Sequence, residues 1–343
     1  MSRFREEIAQ QPDVAASILA ASGAGWAEVA AAIRAADPAG VVIAARGTSD
    51  HAAVYAKYLL EARTRLPVAL AAPSLFTLYR RPPDLRRFCV LAISQAGAST
   101  DVVSVIEEGR RQGSVTVALT NDLSSPLASA AAHVVPLGSG PERSVPATKT
   151  YTASLLHVAL LSQALAPSAE FAAALQRVPE ALGAALAVEG ELGPAVDTLA
   201  GVTRLAVLGR GYNLSTALEV GLKLMEAAYV VAEARSVADF LHGPIAIVER
   251  DFPVLLLDAA GPADEDLASL ARELGRRGAR VLTIGDVQPP PGALGVRVAT
   301  GLPEELTPLP FAVVGQLLTA GLAAARSIDP DRPRGLRKVT VSR

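Results

Sequence analysis

The chain has 343 residues, half of them hydrophobic and 19% charged, enough apolar mass for one large core or two and too hydrophobic for a disordered chain. Its formal net charge of −2 excludes a nucleic-acid surface built on bulk positive charge. The single cysteine, Cys89, excludes a disulfide framework and any multi-cysteine metal cluster.

The first residues, MSRFREEIAQQPD, lack a hydrophobic signal core, so a cytoplasmic protein is expected. Three strand-like runs follow in each half of the chain, in the same order. VVIAARG (Val41 to Gly47) is matched 164 residues later by LAVLGRG (Leu205 to Gly211), both apolar and both running into Arg-Gly. At the same offset FCVLAISQAG (Phe88 to Gly97) meets FPVLLLDAAG (Phe252 to Gly261). One residue of drift later, GSVTVALTND (from Gly113) meets GARVLTIGDV (from Gly278). Three matched units in one order predict an internal duplication. Each half reads as alternating strand and helix, with continuously apolar strands that suit a parallel sheet covered on both faces. The alanine-rich stretch 154–200 reads as connecting helices. The apolar run Phe311 to Ala325, broken by Gln316 and Thr319, is expected to be a buried helix rather than a membrane span.

Open α/β sheets hold ligands beyond the carboxyl ends of their strands, so the segments there are the candidates. The first strand runs into Gly47-Thr48-Ser49-Asp50-His51 and the next into Ser94-Gln95-Ala96-Gly97-Ala98-Ser99-Thr100-Asp101. Both turns are small and hydroxyl-rich and precede helical sequence. Free backbone N–H groups, hydroxyls and a helix dipole suit an anion there, although helix capping alone uses the same residues. The counterparts, Tyr212-Asn213 and Asp258-Ala259, suit an anion less. No nucleotide P-loop is present. A third polar segment, 141–150, offers Thr148 and Lys149 as helix caps or ligand contacts.

In ALEVGLKLMEAAY (Ala217 to Tyr229) the polar residues Glu219, Lys223 and Glu226 fall on one helical face at spacings of four and three. A helix apolar on its other faces is buried, so these charges line a cavity or form a structural ion pair. Glu219 with Lys223 would be that pair, leaving Glu226 as a candidate general base. Of the four histidines, His133 and His157 read as packing residues, His51 sits in the first anion turn, and His242 stands in a loop beside Gly243-Pro244. No two share metal-ligand spacing, so neither a metal nor another cofactor is expected. Only four of the 32 basic residues are lysine, namely Lys57, Lys149, Lys223 and Lys338. Guanidinium cannot replace an amine that must lose its proton, so the lysines inside polar clusters are candidates for chemistry.

Together the motifs GTS, SQxG, a TK-containing loop, ALExxLKxxE, HGP and a terminal Asp-x-Asp-x-Pro-Arg-x-Leu-x-Lys resemble the double-SIS-domain phosphosugar isomerases. The chain resembles the isomerase half of glutamine–fructose-6-phosphate aminotransferase. It is still more similar to the stand-alone glucosamine-6-phosphate deaminases and fructosamine-6-phosphate deglycases. Even Glu7 to Pro12 looks like that family's opening motif.

The resemblance implies two tandem SIS domains, 1–165 and 166–343, each a mainly parallel sheet flanked by helices. It implies a 6-phosphorylated sugar held by Gly47, Thr48, Ser49, Ser94, Gln95, Ala96 and Ser99. Val145 and Ala147 would contact sugar hydroxyls, with Lys149 nearby. Glu226 would move a proton between carbons 1 and 2 with Lys223 beside it. His242, lent across a homodimer interface, would open the ring, and Lys338 would meet the open-chain sugar as a Schiff base or otherwise. Ala96, Ser99 and Ala147 depart from the aminotransferase pattern of serine, threonine and serine, which bears on phosphate affinity and sugar identity. Because the one cysteine lies inside a strand, the expected direction is deamination of glucosamine 6-phosphate to fructose 6-phosphate and ammonia. The alternatives are a deglycase for phosphorylated fructose–amino acid adducts and a catalytically silent sugar-phosphate sensor. Neither a nucleic acid nor a membrane is an expected partner.

Overall fold

The computed structural model describes residues 2–21 and 23–338. It contains two five-stranded sheets, both parallel throughout. The first is built from β1 (Gly40–Ala44), β2 (Val68–Leu70), β3 (Phe88–Ile93), β4 (Thr116–Thr120) and β5 (His133–Pro136), in the order β2-β1-β3-β4-β5. The second has β6 (Arg204–Gly209), β7 (Val231–Ser236), β8 (Pro253–Asp258), β9 (Arg280–Gly285) and β10 (Leu294–Arg297), in the order β7-β6-β8-β9-β10. Renumbered from its own first strand, the second order is the same as the first, so the duplication read from three strands extends to five. The fold is α/β, with two tandem sheets of one topology.

The compact units do not follow a single cut in the chain. One contains the second sheet and comprises Met1–Pro12, Arg143–Thr148 and Arg177–Leu336. The other contains the first sheet and comprises Asp13–Glu142, Lys149–Gln176 and Arg337–Arg343.

The unit of the first sheet forms because its strands are apolar on both faces and buried end to end in β1 and β4. Val42, Ala44, Val90, Ala92 and Ala118 pack against Val102, Val105 and Ile106 of the helix Thr100–Arg111. Behind the sheet, His157 is fully buried and neutral. The Trp26 indole N–H donates to its Nδ1 at 2.9 Å, and its Nε2 lies 3.0 Å from the Leu137 carbonyl. Burial pushes this imidazole down to about 4. His133, expected in an apolar setting, is instead partly exposed on β5, 3.6 Å from Glu28.

In the unit of the second sheet, Ala206, Leu208, Val254 and Leu256 pack on Leu267, Leu270 and Leu274 of the helix Asp264–Arg276. The apolar run near the carboxyl terminus becomes the helix Pro308–Ala325. With Pro308 to Pro310 included it reaches 18 residues at a mean hydropathy of 1.5, long and apolar enough by length and composition to cross a membrane. In the fold 78% of it is buried. Its mid-helix Gln316 accepts from Gln11 Nε2 at 2.8 Å and donates to the Thr148 carbonyl at 3.4 Å. The Glu7-to-Gln11 segment also positions the loop 143–148, because Glu7 accepts the backbone N–H groups of Arg143 and Ser144 at 2.5 and 3.1 Å.

Gly315 on this helix lets the helix Leu214–Ala228 approach closely, since a Cβ at 315 would collide with Val220. Val220 is a stiff β-branched residue in a dense core and yields little. Gly315→Ala is therefore expected to cost about 1–3 kcal/mol of stability, read as a lower urea midpoint at unchanged m-value.

Candidate active site

In the order β2-β1-β3 the chain leaves β1 to one side and β3 to the other, so the crevice at their carboxyl ends is the topological switch point where α/β sheets take ligands. The first hydroxyl-rich turn leaves β1 at Gly47 and opens the helix Thr48–Thr64. The second leaves β3 at Ser94 and opens the helix Thr100–Arg111. Gly97, at a φ of +60°, makes the tight return that a side chain would block, because a Cβ there would strike Ser125. The Gly97 N–H donates to Ser94 Oγ at 3.2 Å. Ser99 stands at the N-cap in extended conformation, yet its hydroxyl makes no capping bond. Helix capping therefore does not account for it. Ser49, Ser94, Gln95, Ala96 and Ser99 are half-buried, and Gly47 is exposed, so the two turns form an open cradle of donors.

The same switch point in the second sheet has the opposite character. Position 258, which the 164-residue offset matches to Ser94, carries Asp258 at the end of β8. Its side chain is 3% exposed, and among the described residues Oδ1 has no hydrogen-bond partner. Burial, with the Asp264 and Asp286 carboxylates nearby, pushes Asp258 up to about 7. Glu304 lies with its carboxylate against the Gly261 turn and is also raised, by burial and then by Glu305 and Asp286. The five carboxyl groups of Asp258, Asp264, Asp286, Glu304 and Glu305 at this edge disfavour a phosphate by repulsion.

The charged helix face lies on the helix Leu214–Ala228. Lys223 is buried at 1% exposure; its ammonium lies 2.5 Å from Glu226 Oε2 and 3.4 Å from Glu219 Oε1. Glu226 is therefore not left over, as the spacing suggested. It is the nearer partner of Lys223, and Glu219 is the farther one. Glu219 is buried and Glu226 is 22% exposed, so of the two carboxylates Glu226 is the one open to solvent. It borders a cleft of about 420 Å³ lined also by Met225, Tyr229, Arg334 and Leu336. Arg334 stacks on the Tyr229 ring at 4.0 Å and its backbone N–H donates to the Tyr229 hydroxyl at 2.9 Å.

Lys338 donates to Glu142 Oε2 at 2.7 Å. Glu142 has a fully buried side chain and also accepts the Thr150 N–H and hydroxyl at 3.1 and 2.8 Å. Nothing local in the sequence marks this carboxylate, because its partner is 196 residues away. Lys149 is buried as the first residue of the helix Lys149–Leu165. Val145 and Ala147 are half-buried in the loop held by Glu7. His242 is exposed, closing the short helix Val237–Leu241, and borders another cleft with Asp266 and Glu273. Among the described residues no group of three or more His, Cys, Asp and Glu side chains could hold a metal.

Two matched parallel sheets, two hydroxyl-rich turns at one switch point and a Glu–Lys–Glu helix face define an internally duplicated α/β protein. The SIS domain family matches residues 36–164 and 198–293, and the chain belongs to that family. It is 32% identical over 306 residues, 88% of its length, to glutamine–fructose-6-phosphate aminotransferase [isomerizing] of Methanothermobacter thermautotrophicus. The match covers 51% of that protein, so the chain spans about half the length of the curated relatives it matches. A candidate phosphosugar isomerase from Silicibacter pomeroyi DSS-3 superposes with a TM-score of 0.89 at 36% identity, covering 96% of this chain and 100% of that one. A glucosamine-6-phosphate deaminase from Thermotoga maritima shares the fold, with a TM-score of 0.79 at 23% identity over 99% of this chain and 100% of that one.

The raised carboxyl at 258 has a consequence for stability. Between about pH 4 and pH 7 the folded protein holds a proton on Asp258 that the unfolded chain releases, so its contribution is complete below pH 4 and is lost as pH rises through 7. Asp258→Asn is expected to flatten the fall in urea midpoint between pH 5 and pH 8 and to leave the variant more stable than the parent at pH 8.

Proposed function

We propose that the protein transfers a proton between carbons 1 and 2 of an open-chain amino-sugar 6-phosphate and releases the nitrogen as ammonia. The leading substrate is glucosamine 6-phosphate, and the products are fructose 6-phosphate and ammonia. The observation that carries this reading is the Glu226 carboxylate, partly exposed at the border of a cleft and held 2.5 Å from a buried lysine.

The steps follow from the groups present. The hydroxyls of Ser49, Ser94 and Ser99, with Gln95, bind the phosphate at a point remote from the reacting carbons, which orients the substrate. His242 opens the ring, an acid–base task suited to imidazole near pH 7; the reading has it supplied by the partner in a homodimer. Glu226 removes the proton from carbon 2 and returns it to carbon 1, while the aldehyde oxygen gains a proton and the amino nitrogen gives one up, so the amino aldehyde becomes an imine at carbon 2 beside a hydroxymethyl carbon 1. Lys223 holds the carboxylate in place for both transfers. Water adds to the imine carbon, the carbon–nitrogen bond breaks, and ammonia leaves with no oxidant or reductant required. Lys338 meets the open-chain sugar, as a Schiff-base amine or as a cation.

Burial in β3 pushes the Cys89 thiol up to about 12, which makes it a packing group rather than a thiolate nucleophile. A deglycase acting on a fructose–amino acid 6-phosphate needs the same proton transfer. The cleft beside Glu226, with the Arg334 guanidinium at its wall, favours that as the second reading. A cytoplasmic location fits either.

The test is ammonia and amino-acid release from a panel of 6-phosphorylated amino sugars and fructosamines. Glu226→Gln is expected to lower turnover by ~10²–10⁴-fold and to abolish deuterium incorporation at carbon 1 in D₂O, with KM changed only a few-fold. Binding of the sugar phosphates by calorimetry with no turnover of any of them would establish a sensor instead.

A further inference from the structure

We propose that Arg46 is the cationic anchor of the phosphate cradle, supplying the charge that its neutral donors lack. The proposal deepens the reading above and rests on it. Arg46 is the last residue before the Gly47 turn, and its carbonyl accepts the Ser49 N–H at 3.1 Å, so its backbone is part of the cradle. Its Nε donates to Asp101 Oδ2 at 2.7 Å. Asp101 is the second residue of the helix Thr100–Arg111 and follows the other cradle turn. Its carboxylate is 1% exposed, and Oδ1 accepts the Val102 N–H at 2.9 Å. The pair therefore bridges the two turns that make the cradle.

The geometry leaves the guanidinium usable. Asp101 occupies Nε, while the Arg46 side chain is half exposed, which leaves the two terminal amino groups for a second acceptor. A planar guanidinium already oriented by one carboxylate binds a phosphate through a charge-assisted fork. The local charges require it. Asp50 stands in the first turn of the Gly47 helix and Asp101 in that of the other, with His51 beside Asp50. Asp50 is raised by burial, against the opposing pull of His51 and Arg46. Without Arg46 a phosphate dianion would face two carboxyl groups and no permanently charged cation from these turns.

The duplication separates scaffold from function. Arg210, 164 residues after Arg46, pairs with Asp266 at 3.3 Å, but there the carboxylate is 58% exposed, and the turn after β8 carries Asp258 instead of a serine. A strand-end arginine tied to a helix is thus common to both halves. Only the first half surrounds it with hydroxyls. The same charge would compensate for Ala96, which lacks the hydroxyl that a serine would offer the phosphate.

The test measures binding of glucosamine 6-phosphate and inorganic phosphate by calorimetry, alongside steady-state kinetics. Arg46→Gln is expected to weaken both ligands and raise KM by about 10–100-fold, the range for losing a charge-assisted hydrogen bond. The change in kcat should stay within a few-fold, because phosphate contacts remote from the reacting carbons act on binding. Arg46→Lys should recover part of the loss. Since Arg46→Gln strands the buried Asp101, the double variant Arg46→Gln/Asp101→Asn, with no orphaned carboxylate, should lose phosphate affinity to the same extent. Folded variants that bind both ligands within twofold of the parent would overturn the proposal and leave Arg46 a structural tie. If the parent neither binds nor turns over any sugar phosphate, the functional reading fails and the proposal with it. If the parent is active and the variants bind normally, only the role of Arg46 falls.

Discussion

A lysine ammonium buried to 1% exposure is the constraint on which the candidate chemistry depends. Leaving such a charge unpaired in an apolar interior costs several kcal/mol, so Lys223 must hold its two carboxylates. The helix supplies them at one turn before and slightly less than one turn after, which sets one partner deep and the other toward a cleft. The deep one, Glu219, is inaccessible; Glu226 keeps 22% of its surface and is available to a substrate. Close packing of the helix, through Gly315 against Val220 and Gly221 against Ala234, holds this face in register.

The duplication explains why one sheet edge suits an anion and the other does not. Both sheets offer a switch point, two turns and a helix amino terminus, which is the backbone geometry that binds phosphate. What differs is side-chain charge. Ser94 in one half stands where Asp258 stands in the other, and the Glu304 carboxylate rests on the second turn. Repeated backbone geometry thus carries opposite electrostatics, and a few side chains decide which edge is open to a negatively charged ligand.

Much of this was legible in the residues. The offset of 164 placed the strands and their turns, because parallel strands need continuous apolar runs and their ends need glycine and small residues. The spacing of Glu219, Lys223 and Glu226 placed them on one face, because a helix repeats every 3.6 residues. The pairing within that face was misjudged: spacing admits both carboxylates, and rotamer and burial decide between 2.5 and 3.4 Å. His133 was misread because an apolar local sequence does not show which end of a strand is covered.

What the sequence determined by itself was periodic and local: two like halves, three strands in each, the hydroxyl turns and the charged helix face. Only the tertiary structure decided the long-range partners. Glu142 meets Lys338, Glu7 meets the backbone at 143 and 144, and Arg46 meets Asp101 across 55 residues. The helical or strand repeat carries no information on such contacts. They arise because a buried charge takes whichever complementary group the folded chain brings within about 3 Å, and that is a property of the assembled layers rather than of any segment.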